Sequence, residues 1–119
     1  MLCKNNGKTT QVDHIVVSPY GIFVIETKNY KGYITGSEYG AKWTENKKYS
    51  FQNPIRQNYG HIKALSELLN LPEDIFISII VFSVEAKIKV ETKKHLIYTV
   101  NLRKTIRSYQ QRKLNDEQV

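Results

Sequence analysis

The sequence predicts a mixed α/β domain: a central mixed sheet with an N-terminal β-hairpin and meander, and helices packed on it. Three observations carry this. Two β-branched runs flank a tight turn at Ser18-Pro19-Tyr20-Gly21, helical apolar spacing follows Asn53-Pro54, and Ile75 to Phe82 is almost unbroken apolar sequence.

The elements follow in chain order. Val12 to Ser18 and Ile22 to Lys28 are apolar strands, and the turn between them has proline at its second position and glycine at its fourth, which closes a hairpin. Shorter runs at Tyr33 to Thr35, Lys42 to Thr44 and Lys48 to Phe51 are broken by Gly32, Gly36, Gly40 and Asn46, and extend the hairpin as an antiparallel meander. Asn53 caps a helix that Pro54 opens; Ile55, Tyr59, Ile62, Leu65 and Leu69 form its apolar stripe, and Asn70-Leu71-Pro72 ends it. The Ile75 to Phe82 run has the composition of a strand covered on both faces, so it belongs inside the sheet. Leu96 to Val100 is a further strand, and a basic helix starts near Leu102.

With 119 residues, 40% of them hydrophobic and 24% charged, the chain is one domain able to bury a core. Ser78 and Ser83 interrupt its longest apolar run, so it holds no membrane span. The polar segment 1–10 lacks the apolar stretch of a signal peptide, and a cytoplasmic setting is expected. One cysteine, Cys3, excludes an internal disulfide and a cysteine-based zinc site; a metal here would be a hard ion on carboxylates. Nothing matches a phosphate-cradling glycine loop or a nucleophile elbow.

Eighteen basic against eleven acidic residues give a net charge of +7, which favours polyanionic partners without specifying one. Between Lys87 and Lys113 the only acid is Glu91, against Lys87, Lys89, Lys93, Lys94, Arg103, Lys104, Arg107, Arg112 and Lys113. That asymmetry points toward nucleic acid, although a solvated helix face needs no partner.

If the turn centres on Pro19-Tyr20, cross-strand partners sum to 39, and Asp13 faces Glu26. Opposed carboxylates repel unless a cation lies between them, and strand alternation adds Lys28 to the face of Glu26. Two carboxylates suit Mg²⁺ or Mn²⁺, and a neighbouring lysine suits phosphodiester hydrolysis. Acid-x-lysine is also a common tripeptide, and spacing alone favours reading Glu26 and Lys28 as exposed hairpin-end residues. His14 falls on the opposite face and is no ligand.

Val12 to Val17, Gly21 to Tyr30, Gly32-Tyr33-Ile34 with Trp43, and Asn53-Pro54-Ile55-Arg56-Gln57 together resemble the NERD (nuclease-related) domain of the PD-(D/E)xK nuclease superfamily. The resemblance is best over 11–69 and reverses the balance of the two readings. It implies a restriction-endonuclease-like core and a Mg²⁺- or Mn²⁺-dependent nuclease acting on nucleic acid, DNA before RNA. In that pattern Asp13 and Glu26 are metal ligands, Thr27 lends its carbonyl, Lys28 is catalytic, and Gln57 stands near the phosphate or attacking water. Val12 replaces the nominal proline. The helix that usually precedes the first core strand has no counterpart in 1–10, so a second copy or a partner chain is expected to supply that part. The alternative function is a catalytically degenerate module that binds nucleic acid or another protein.

Nucleic-acid contacts are expected from Lys31, Lys42, Lys47, Lys48, Arg56, Lys93, Lys94, Arg103, Lys104 and Arg107. Tyr39, Trp43 and Tyr49 lie among these lysines and could stack on bases, but core packing is the stronger expectation for them. His61, one helical turn beyond Gln57, is read as a packing or surface residue.

Overall fold

The computed structural model describes residues 2–5, 8–11, 14–92 and 95–109, with side chains for 14–92 and 96–109. Its elements in chain order are β1 (Leu2–Asn5), β2 (Lys8–Gln11), β3 (His14–Ser18), β4 (Gly21–Lys28), β5 (Tyr33–Thr35), β6 (Lys42–Glu45), β7 (Tyr49–Gln52), α1 (Pro54–Leu69), β8 (Phe76–Phe82), β9 (Lys87–Ile88), β10 (His95–Tyr98) and α2 (Leu102–Arg107). The fold is mixed α/β, as the sequence predicts.

The main sheet has the order β10-β8-β4-β3; β4 is antiparallel to β3 and parallel to β8, and β8 is parallel to β10. The hairpin register is the one read from the turn, with Ser18 opposite Gly21 and His14 opposite Ile25. Gly21 is required there: its φ is +144°, and a Cβ would lie 2.7 Å from Ile77 Cδ1. Because β4 and β8 run parallel, the chain must cross over between them, and α1 makes that crossing. As expected, β8 lies between two strands and is almost wholly buried.

The short strands do not extend the hairpin sheet. They form a second sheet of order β7-β6-β5-β9, in which β9 pairs parallel with β5. The hydrogen-bonding edge of β4 is taken by β8, an element far along the chain, so a strictly sequential meander cannot continue from it. The polar N-terminal segment carries two strands: β1 and β2 pair antiparallel, and β1 runs beside α1.

Alternation along β4 and β8 divides the core. Ile22, Val24 and Phe76 pack with Ile62, Ala64 and Leu65 of α1, while Ile80 and Phe82 meet Ile34 and Trp43 of the second sheet. The opposite face, Phe23, Ile25, Ile77, Ile79 and Val81, is covered by Leu102, Ile106 and Tyr109. Trp43 is fully buried and donates to Ser37 O at 2.8 Å, whereas Tyr39 and Tyr49 are exposed, against the expectation that they join the core. The buried face of α1 also differs from its expected stripe. Tyr59 and Leu69 are exposed, and Asn58 and His61 take places in the buried face beside Ile55, Ile62 and Leu65.

Candidate active site

Glu26 and Lys28 sit two residues apart on the α1-facing side of β4, near its C-terminal end. Glu26 is only 5% exposed, so it is a buried carboxylate and not a solvated hairpin end. Its Oε1 pairs with Lys28 Nζ at 3.2 Å, and the same ammonium donates to Gln57 Oε1 at 3.0 Å. The cap at Asn53 sets the phase of α1 that brings Gln57 there. Its side chain accepts from Ile55 N at 2.9 Å and donates to Glu38 O and Gly40 O at 2.9 and 2.8 Å, fixing the first helical turn to the loop before β6.

The second carboxylate oxygen, Glu26 Oε2, is buried without a hydrogen-bond partner, and His61 Nδ1 stands 3.6 Å from it. The sequence gives His61 a packing or surface role; it is buried, and it stands beside the acid. Its neighbour Asn58 is fully buried and donates from Nδ2 to Val24 O and Ser78 Oγ, both at 2.8 Å. A carbonyl can only accept, so the Asn58 amide oxygen is turned toward His61 Nδ1, 3.2 Å away, and that nitrogen carries the proton. Asn58 and His61 therefore form a polar strut from the main sheet to Glu26. The sequence did hold a signal for it: Asn58 and His61 follow Ile55 at helical spacing, and polar residues on a buried face need partners.

The remaining expected residues are scattered. Asp13 precedes His14 directly and lies outside the described residues, as do Lys93 and Lys94. Thr27 has an exposed side chain between Glu26 and Lys28 in the strand, on the other face. His14 is exposed on that opposite face, as expected. Lys31 is exposed, 3.8 Å from Glu85, and Lys47 and Lys48 belong to the β6–β7 turn. Arg103, Lys104 and Arg107 are exposed on α2, which covers the sheet face opposite Glu26, so they do not converge on the acid–lysine pair. Arg56 borders a groove of about 850 Å³ with Tyr59, Lys63, Glu73, Phe76 and Tyr109; neither Glu26, Lys28 nor Gln57 lines it.

One acidic oxygen without a hydrogen-bond partner, held rigidly beside a lysine, is a fit for one ligand position of a hard cation. Among the described residues no group of three or more His, Cys, Asp or Glu could hold a metal ion. Also among them, no helix is long and apolar enough to cross a membrane.

A mixed sheet whose inner strand carries an acid and a lysine on one face, with a glutamine-bearing crossover helix over them, is a nuclease-like α/β core. The sequence model of the nuclease-related domain matches residues 2–83, and the chain belongs to that family. The match takes in β1 and β2, beyond the 11–69 stretch legible by eye. The chain is 47% identical over 122 aligned residues to an uncharacterized protein of Bacillus anthracis; the alignment covers 95% of this chain and 56% of that protein. The chain thus spans a little over half the length of this relative. No solved structure gives a significant match.

Proposed function

We propose that this domain is a metal-dependent nuclease that hydrolyses phosphodiester bonds, of DNA before RNA, with Glu26 and Lys28 at its centre. The observation that carries the reading is the buried Glu26 carboxylate: Lys28 neutralises one oxygen, and the other has no hydrogen-bond partner. Leaving a buried charged oxygen unsatisfied costs roughly 1–3 kcal/mol or more, a cost that a ligand at that oxygen would offset.

Glu26 Oε2, the Asp13 carboxylate and the Thr27 carbonyl would hold Mg²⁺ or Mn²⁺. The ion supplies positive charge against the phosphodiester and acidifies water. Lys28 presents its ammonium where negative charge develops on phosphate oxygens. Gln57 holds that ammonium from the helix side, so Lys28 is shared between two oxygens and does not close wholly onto Glu26. Asn58 orients His61, whose Nδ1 stands 3.6 Å from Glu26 Oε2.

Supercoiled plasmid and single-stranded DNA, each with Mg²⁺, Mn²⁺ or EDTA, test the reading alongside Glu26→Gln. Metal-dependent nicking that the variant loses while keeping its fold is the expected result. Equal cleavage by the variant would remove Glu26 from the site. Binding without turnover by the wild type would leave the degenerate-module reading in its place.

A further inference from the structure

The outer face of the second sheet carries a pattern that the acid–lysine site does not use. Cα partners across a ladder share a face, so the pairs Lys42 with Gln52, Thr44 with Ser50, Thr35 with Thr44, and Tyr33 with Lys87 put all seven residues on one side. Lys89 joins them: its amide bonds Ile34 O at 2.8 Å, continuing the parallel ladder, and its Nζ lies 6.0 Å from the centre of the Tyr33 ring. The opposite side holds Ile34, Trp43, Phe51 and Ile88, which pack on the core.

The outer face is therefore solvent-facing: Lys42, Ser50, Gln52, Lys87 and Lys89 are exposed, and Tyr33 is 53% exposed. It holds three lysines and no carboxylate. The one acid within these strands, Glu45, shares the side of Trp43 and accepts from Lys31 N at 3.0 Å. Glu38, Glu85 and Glu91 lie in the flanking segments. Hydroxyls and an amide fill the places between the lysines, and Thr35 and Thr44 bond each other at 2.7 Å.

We propose that this face is a nucleic-acid platform, in which Lys42, Lys87 and Lys89 contact the phosphate backbone and Tyr33 offers a ring for base stacking. Charge complementarity selects a polyanion. The face carries one aromatic ring, Tyr33, and no protruding aliphatic side chain, and this, together with hydroxyl and amide groups at phosphate and sugar height, favours nucleic acid over an anionic membrane. The platform extends the nuclease reading, because it concerns how substrate is held away from the reacting bond.

The test is fluorescence anisotropy of labelled single- and double-stranded oligonucleotides, measured in EDTA so that no cleavage occurs. Lys42→Glu/Lys87→Glu/Lys89→Glu is compared with Arg103→Glu/Lys104→Glu/Arg107→Glu, which changes net charge equally on α2. Each phosphate contact contributes about 0.9 to the salt slope on duplex and about 0.7 on single strands, so between 50 and 200 mM salt the wild type should lose about 40-fold more affinity than the sheet-face variant on duplex and about 20-fold more on single strands. The α2 variant should lower the slope less than the sheet-face variant does. Equal weakening in both variants, or no weakening on the sheet, would overturn the platform. So would binding to phosphatidylserine vesicles without binding to oligonucleotides. Should the glutamate variant unfold, lysine-to-glutamine changes at the same three positions remove the charge on exposed sites and answer the same question. A wild type that cleaves while the sheet-face variant binds unchanged refutes the platform alone; one that binds through the sheet but never cleaves refutes the nuclease alone.

Discussion

Replacing Asn58 with alanine removes the strut beneath the acidic site, and its cost can be worked from the contacts. Asn58 is fully buried and makes three hydrogen bonds: to Val24 O and Ser78 Oγ at 2.8 Å, and with His61 Nδ1 at 3.2 Å. A buried hydrogen bond contributes about 1 kcal/mol net, and a partner left buried without a substitute costs about 1–3 kcal/mol. The amide also leaves a void beside Val24, so the expected loss is roughly 3–5 kcal/mol, a large share of the ~5–15 kcal/mol that stabilises a domain. Trp43 is the chain's single tryptophan and is fully buried in the second sheet, which makes its fluorescence a global reporter during urea unfolding. A double-mutant cycle with Ser78→Ala should return a coupling of about 1 kcal/mol. A loss below about 1 kcal/mol for Asn58→Ala, with an unchanged urea dependence, would refute the strut: water would then serve these partners as well as the side chain does.

Three further perturbations lie away from that strut, and a fourth falls on its other residue, His61. Gly21→Ala should destabilise by about 1–3 kcal/mol, because φ is +144° and the new methyl meets Ile77; calorimetry checks it. Lys47→Gly should stabilise by about 0.5–1 kcal/mol and raise the melting temperature by about 3 °C, because Asn46 and Lys47 both have positive φ in the β6–β7 turn, where Asn-Gly is the favoured pair. Tyr30 is held above the ordinary value of 10.0 by burial and by Glu45, and Tyr109 by burial. The folded state thus favours their neutral forms, and stability should fall as pH rises past about 10; a flat alkaline melting profile would contradict this. His61→Ala should weaken Mn²⁺ binding, read by electron paramagnetic resonance, more than it weakens folding, whereas a packing role alone would move only the melt.

How much of this was legible beforehand depends on the range of the interactions involved. The hairpin register followed from Pro19-Tyr20 and strand alternation, the bounds of α1 from Asn53-Pro54 and Asn70, and the interior place of β8 from its apolar run, all consequences of neighbours in sequence. The family likeness likewise lay in local motifs. Only the tertiary structure buried Glu26, because that depends on α1 crossing from β4 to β8 and laying Gln57, Asn58 and His61 over the strand. Tertiary structure also split the expected meander from the hairpin, since β8 had claimed the edge of β4. It separated the charges too, placing α2 with its arginines on the far side of the sheet from Glu26 and gathering Lys42, Lys87 and Lys89, distant in sequence, on one face of the second sheet. Sequence fixes which faces an element has; which faces meet is decided by pairings between residues tens of positions apart, whose energies no local pattern contains.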